Sequence, residues 1–226
     1  MELNVDELLL AGTEQGQTAL HMAAQNNHIE ILQKLWVWTE EWQLNRNESK
    51  KKLLLARDKD GNTAWHHAAR FGTLEALQTL WSFAKEVELK LDKLLLAGTE
   101  QGQTALHMAA QNNHTEILQK LWVWTEEWEM NTNELKEKLL VAKDKNGNTA
   151  WHHAACCGKL EALEKLWSFA KEVDLNRYEF LLAANQEGKI ALHKAAQKNY
   201  IEILQKLWVW TEEWQLNTNQ LRKNSY

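Results

Sequence analysis

Not one proline occurs in this 226-residue sequence. That ring is the strongest breaker of helices, so its absence favours a mostly helical chain. Cysteine is nearly as scarce: the only two, Cys156 and Cys157, are adjacent and cannot form a disulfide framework. No apolar run approaches the roughly twenty residues that a membrane-spanning helix needs. A net charge of -5 gives no general attraction to nucleic acid or to acidic lipid. The opening MELNVDELLLAG has neither a basic leader nor a long apolar stretch, so no secretory signal is expected. A reducing, soluble, cytoplasmic setting is the expectation. With 44% apolar residues the chain has enough to build a sizeable core.

What the chain does have is repetition. Residues 10–95 align with 96–181 at 66 identical and 20 differing positions, a period of 86. Inside it lies a shorter one, because Gly16, Gly61, Gly102, Gly147 and Gly188 are spaced by 45, 41, 45 and 41 residues. Two related units alternate, GQTALHMAAQNNHIEILQKLWVWTEEW and GNTAWHHAARFGTLEALQTLWSFAKEV. The expected organisation is a single array over 1–226, with units starting near 13, 58, 99, 144 and 185 and a partial unit at 1–12.

Each unit follows one plan. Glycine sits in a short polar turn that calls for positive φ. Thr18, Thr63, Thr104 and Thr149 are placed to cap a short, Ala-rich first helix such as 19–25. That helix ends at Asn27, Gly72, Asn113, Gly158 and Asn199, residues that tolerate the left-handed conformation. A second helix spans about 29–43, and a third follows, for example 134–142. On a helical wheel Ile31, Leu32, Leu35, Trp36, Trp38 and Trp42 share one face. The alternate unit places Ala76, Leu77, Leu80, Trp81, Phe83 and Val87 at the same angles. Phe83 and Val87 thus replace Trp38 and Trp42, so the indoles are expected to fill space rather than to hold a ligand.

The short period of about 43 fits HEAT and armadillo repeats, whereas ankyrin units average about 33. The motif decides otherwise. G-x-T-A-L-H-x-A-A, then G-x-L-E-A-L, then A-K-D-K-N-G-N-T resembles the ankyrin-repeat family, with Ala150 where that family usually has proline. The surplus of 8–12 residues falls after the second helix and reads as an additional helix on the back. The fold class is therefore all-α: an ankyrin-like α-solenoid of five helix-turn-helix units with an additional helix per unit. The fifth unit departs at Ile190 and Lys194, and its missing cap should let the C-terminal end fray first. Both ends read as cut edges, which suggests end-to-end self-association or continuation into further repeats.

No catalytic residue, cofactor or metal site is expected. The resemblance implies that His21, His66, His107, His152 and His193 bond the turns of their own and neighbouring units. The sharpest alternative is a metal or redox site around His152–Cys157, where His153 and Cys157 lie one helical turn apart. Zinc, however, needs three or four ligands, and the duplicate unit has Arg70 and Phe71 in place of the cysteines. Near-copies spaced along a rod cannot converge into a catalytic constellation. The Lys50–Lys52 run reads as a solvated helix face.

What remains is surface. The resemblance implies a concave face made of the turn tips and the end of each first helix. In this chain that face comprises Glu14, Gln15, Gln17, Gln25 and Asn26; Lys59, Asp60, Asn62, Arg70 and Phe71; Glu100, Gln101, Gln103, Gln111 and Asn112; Lys145, Asn146, Asn148, Cys156 and Cys157; and, in the fifth unit, Gln186, Glu187, Lys189, Gln197 and Lys198. It suits a non-catalytic scaffold that binds a protein partner, with a structural spacer in a longer repeat protein as the alternative. Arg70 and Phe71 are the strongest anchors, since arginine and aromatic residues dominate binding hot spots.

Overall fold

Gly61 shows what opens each unit. Its φ is +76°, and a Cβ there would lie 2.5 Å from the amide nitrogen of Glu100 in the next turn. Only a residue without a side chain fits. The other four turn glycines also lie between +71° and +77°. Within each turn the chain folds back on itself: Asp58 N–H donates to Asn62 O at 2.8 Å and Gly61 N–H to Asp58 O at 3.0 Å. The computed structural model describes residues 5–41, 46–127, 132–173 and 175–223.

Among these residues every regular element is helical, fifteen α-helices and one 3-10 turn. The first helices are α2 (Ala19–Gln25), α5 (Ala64–Phe71), α8 (Ala105–Asn112), α11 (Ala150–Cys156) and α14 (Ala191–Gln197). They stack in sequence, α2 on α5, α5 on α8, α8 on α11 and α11 on α14. Alanine makes this possible, since Ala68, Ala69, Ala109, Ala110, Ala154 and Ala155 are fully buried. The expected stop residues Asn27, Gly72, Asn113, Gly158 and Asn199 all have positive φ, from 58° to 79°.

The second helices form an outer layer: α3 (Ile29–Glu41), α6 (Leu74–Glu86), α9 (Thr115–Trp124), α12 (Leu160–Glu172) and α15 (Ile201–Lys223). The additional helices are α1 (Val5–Leu9), α4 (Arg46–Leu55), α7 (Leu91–Leu95), α10 (Thr132–Val141) and α13 (Arg177–Leu181). Those between units 45 residues apart have ten residues and those between units 41 apart have five, so the spacing difference is taken up there. Helix α4 bridges the second helices α3 and α6, and α13 bridges α12 and α15.

The threonine caps take a more specific form than expected. The histidine three residues on turns its ring back to the cap: Thr18 N–H donates to His21 Nδ1 at 3.1 Å, and the Thr18 hydroxyl lies 2.8 Å from the same nitrogen. Ile190 keeps only the amide bond, to His193 at 3.2 Å. Ile190→Thr should therefore stabilise the last unit by about 0.5–1 kcal/mol, read as a higher urea midpoint. An unchanged midpoint would show that the hydroxyl adds nothing.

The indole face needs two corrections. Ala76, Leu77, Leu80, Trp81, Phe83 and Val87 are all buried, as are Leu32, Leu35 and Trp36, but Ile31 and Trp38 are each 46% exposed. Their equivalents Ile117 and Trp124 are buried because the preceding unit covers them, and unit 1 has no such neighbour among the described residues. Trp42 lies outside the described residues. Nor do the indoles merely fill space. Trp36 Nε1 donates to Glu86 at 2.8 Å, Trp81 Nε1 to Glu127 at 3.2 Å and Trp122 Nε1 to Glu172 at 2.9 Å, each across a unit boundary.

The lysine run is corrected too. Lys50 is only 3% exposed, pairs with Glu86 and lies over the Trp36 ring. Lys136 repeats this in the duplicate, 2.6 Å from Glu172 and 2.7 Å from Glu126, above Trp122. Burial would lower the Lys136 ammonium, but the two carboxylates outweigh it and raise it above its ordinary value. Lysine at this point is a tie between three helices; of the run, Lys51 is partly covered and Lys52 exposed.

Candidate partner-binding surface

The turns form a continuous wall because successive tips bond through their main chains. Lys59 N–H donates to Gln15 O, Glu100 N–H to Asp60 O, Lys145 N–H to Gln101 O and Gln186 N–H to Asn146 O, at 2.8–3.0 Å. Histidine locks each tip to the next unit. His21 Nε2 meets Asn62 O at 3.0 Å, His66 meets Ala97 O, His107 meets Asn148 O and His152 meets Lys189 O. A carbonyl can only accept, so Nε2 carries the hydrogen and Nδ1, which faces an amide N–H, must be bare. The rings are held neutral. Burial first of all pushes the His66, His107 and His152 pKa values down to about 4, and lowers His21 as well.

The units starting at Asp58 and Asp144 add a carboxylate inside the turn. Asp58 accepts from the Asp60 and Asn62 amides at 3.0 and 2.8 Å and from His67 Nε2 at 2.9 Å. Asp144 does the same with Asn146, Asn148 and His153. Burial would raise the Asp144 carboxyl, but the bonds from His153 and Asn148 hold it well below the usual carboxylate range, and Asp58 is lowered likewise. Sequence reasoning passed over these aspartates. The signal was present: histidine follows nine positions after Asp58 and Asp144, whereas methionine follows Thr13 and Thr99.

On this frame Glu14, Gln15, Asn26, Lys59, Asp60, Glu100, Gln101, Asn112, Lys145 and Asn146 are exposed. Gln17, Gln25, Gln103, Gln111, Cys156 and Cys157 are partly covered. Asn62 and Asn148 are not part of the displayed surface. They are 5% and 9% exposed, their side chains bonded to Asp58 and Asp144 and their carbonyls to histidine. Arg70 and Phe71 stand at the end of α5, Phe71 being 47% exposed. The Arg70 guanidinium lies 5.9 Å from the Phe71 ring centre, and the His67 ring is parallel to the Phe71 ring within 2° at 6.2 Å. The anchor pair is thus held in place by the same histidine that braces the turn. Two shallow clefts run along the wall, one bordered by Asp60, Arg70, Glu100, Gln101 and Met108, the next by Gln111, Cys156, Cys157 and Tyr200.

In the 152–157 segment both histidines have their Nε2 committed, His152 to a carbonyl and His153 to Asp144. Burial raises the Cys157 thiol, which leaves less thiolate for metal or redox chemistry. Among the described residues no group of three His, Cys, Asp or Glu side chains is placed to hold a metal ion.

A family model described as ankyrin repeats in three copies matches residues 2–91, 41–134, 84–178 and 129–217. The chain belongs to the ankyrin-repeat family. A search of curated proteins finds no match. Ankyrin repeats are in general modules for protein–protein interaction and typically non-catalytic. Within this array no helix among the described residues is long and apolar enough to cross a membrane.

Proposed function

We propose that the array is a non-catalytic scaffold that grips a protein partner along the turn wall, the concave face of the family's arrangement, in a cytoplasmic setting. The observation that carries this reading is a kept frame under changed side chains, since three of the 20 differences between the duplicates fall on this wall. Asp60 becomes Asn146, Arg70 becomes Cys156 and Phe71 becomes Cys157, while the underlying Asp58–His67 brace recurs as Asp144–His153. The frame is kept and the displayed chemistry changes. An exposed aromatic ring preorganised beside an arginine is the composition of a hot spot, and little side-chain freedom is lost on binding it. The many amides around it supply hydrogen bonds suited to a polypeptide. Nucleic acid and membrane are not the partners, since the wall mixes Glu14, Lys59, Asp60, Glu100 and Lys145 without a basic stripe.

Affinity capture with the intact array, followed by titration of the captured partner, tests this. Changing Arg70→Ala with Phe71→Ala should weaken binding about 30-fold or more, the loss of one hot spot of roughly 2 kcal/mol. Equal affinity for both forms removes the anchor. If changes across the whole wall also leave binding intact, the array is a spacer.

A further inference from the structure

All four boundaries between units are closed by the same aromatic stack. The residue equivalent to Trp36 in one unit lies against the residue equivalent to Trp38 in the next. The pairs are Trp36–Phe83 at 4.2 Å, Trp81–Trp124 at 4.4 Å, Trp122–Phe169 at 4.3 Å and Trp167–Trp210 at 5.2 Å. The series leaves one half-stack at each end. Trp208 of unit 5 is 63% exposed and Trp38 of unit 1 is 46% exposed, while every other member of both sets is at most 6% exposed. We propose that unit 5 of one copy docks on unit 1 of another, with Trp208 stacking on Trp38, so that the chain associates head to tail.

The surroundings of the two rings match as well. Leu192 is 38% exposed at a position where Leu20, Trp65, Leu106 and Trp151 are at most 1% exposed. Ile31 is 46% exposed where Ala76, Ile117, Ala162 and Ile203 are at most 2%. These are opposite sides of one repeated apolar seam, each waiting for the other. A polar latch accompanies the seam where an odd unit precedes the next. Asn27 Nδ2 donates to Glu75 at 3.2 Å while its Oδ1 accepts from Ala76 N–H, and Asn113 does the same with Glu161 and Ala162. Unit 5 offers Asn199 in the same left-handed conformation, and unit 1 offers an exposed Glu30. Trp208 Nε1 now donates to Glu212 of its own helix at 2.9 Å, whereas Trp36, Trp81 and Trp122 donate to the following unit.

The docking copy also brings its own bridging helix. Helix α1 has the same five-residue length as α7 and α13. Its Leu8 is 62% exposed, while the equivalent Leu53, Leu94, Leu139 and Phe180 are at most 4%. Because the two faces differ, the contact is heterologous: it does not close on itself in pairs but propagates. It involves neither Arg70 nor Phe71, so the two proposals stand or fall separately.

The test uses the 226-residue chain and two variants, Trp38→Glu and Trp208→Glu, in sedimentation velocity or light scattering. Both rings are already exposed, so far-ultraviolet circular dichroism should be unchanged and confirms folding. The unaltered chain should show a mass that rises with concentration across about 1–500 µM, the range of a modest interface. Each variant alone should remain monomeric, its association weakened at least about tenfold. Mixed one to one, the variants should form a dimer and stop there, because only one good face remains on each. An unaltered chain that stays monomeric throughout overturns the proposal. So does a Trp38→Glu variant that still self-associates, which would mean that two Trp208 faces meet, or a variant mixture that shows no dimer.

Discussion

Between pH 7.5 and pH 4.5 the array should lose most of its stability. His66, His107 and His152 have folded-state pKa values of about 4 because they are buried and locked as neutral donors, against 6.5 for an unconstrained histidine. The unfolded chain therefore binds protons first. Stability is fully present above about pH 6.5, falls as the pH drops from there toward 4, and below 4 the histidine contribution is gone. Each ring contributes up to about 1.4 kcal/mol per pH unit in mid-window, so three approach about 4 kcal/mol per unit. A domain holds only about 5–15 kcal/mol in total, so acid alone should unfold much of the chain. Asp58 and Asp144, both lowered, extend the decline to lower pH in the same direction. Urea midpoints measured at several pH values read this directly. His107→Gln should reduce the slope by one ring's share, about 1.4 kcal/mol per unit. A midpoint that does not move between pH 7 and pH 4.5 would exclude the locked-neutral arrangement.

Trp124→Ala should cost about 3–5 kcal/mol, and Trp38→Ala less than about 1 kcal/mol in dilute solution. Both belong to identical thirteen-residue segments, EILQKLWVWTEEW, so no local propensity separates them. Position in the stack does. Trp124 is 2% exposed, packed on Trp65 at 5.4 Å and Trp81 at 4.4 Å; Trp38 is 46% exposed, with no preceding unit against it among the described residues. In a solenoid, stability is a sum of units and the interfaces between neighbours. Removing Trp124 should therefore also divide the unfolding curve into two steps, because units 1–2 and units 3–5 lose their main coupling. Equal costs for the two substitutions would show that the ring's worth lies within its own helix.

The same pair marks the limit of what the letters convey. Periodicity identified the indole face and the replaceable partners Phe83 and Val87, since burial against neighbours imposes volume and polarity. It could not tell a middle brick from an end one, because Ile31 and Ile117 are spelled alike. The turn glycines and the helix stops at Asn27 and Gly72 were legible, as positive φ admits few residue types. Lys50 was not: three lysines in a row look solvated, and the carboxylate it pairs with lies 36 positions away in the sequence. The wall was named from resemblance, and the structure leaves twelve of its twenty positions in units 1–4 exposed, six partly covered and two buried. Asn62 and Asn148 were counted on the wall although they are buried, because an asparagine two residues before the first helix can serve either the solvent or the turn beneath it. The Asp58–His67 brace was visible only as a correlated change within the chain.

The main-chain bonding of the tips leaves their side chains unusually free of duty. Gln15, Lys59, Gln101 and Lys145 are linked to their neighbours through amide and carbonyl groups that any amino acid supplies. The vocabulary shown to a partner can accordingly be rewritten while the grammar beneath it is untouched. Copying the 86-residue pair and editing a few tips is then a short route from one recognised protein to another.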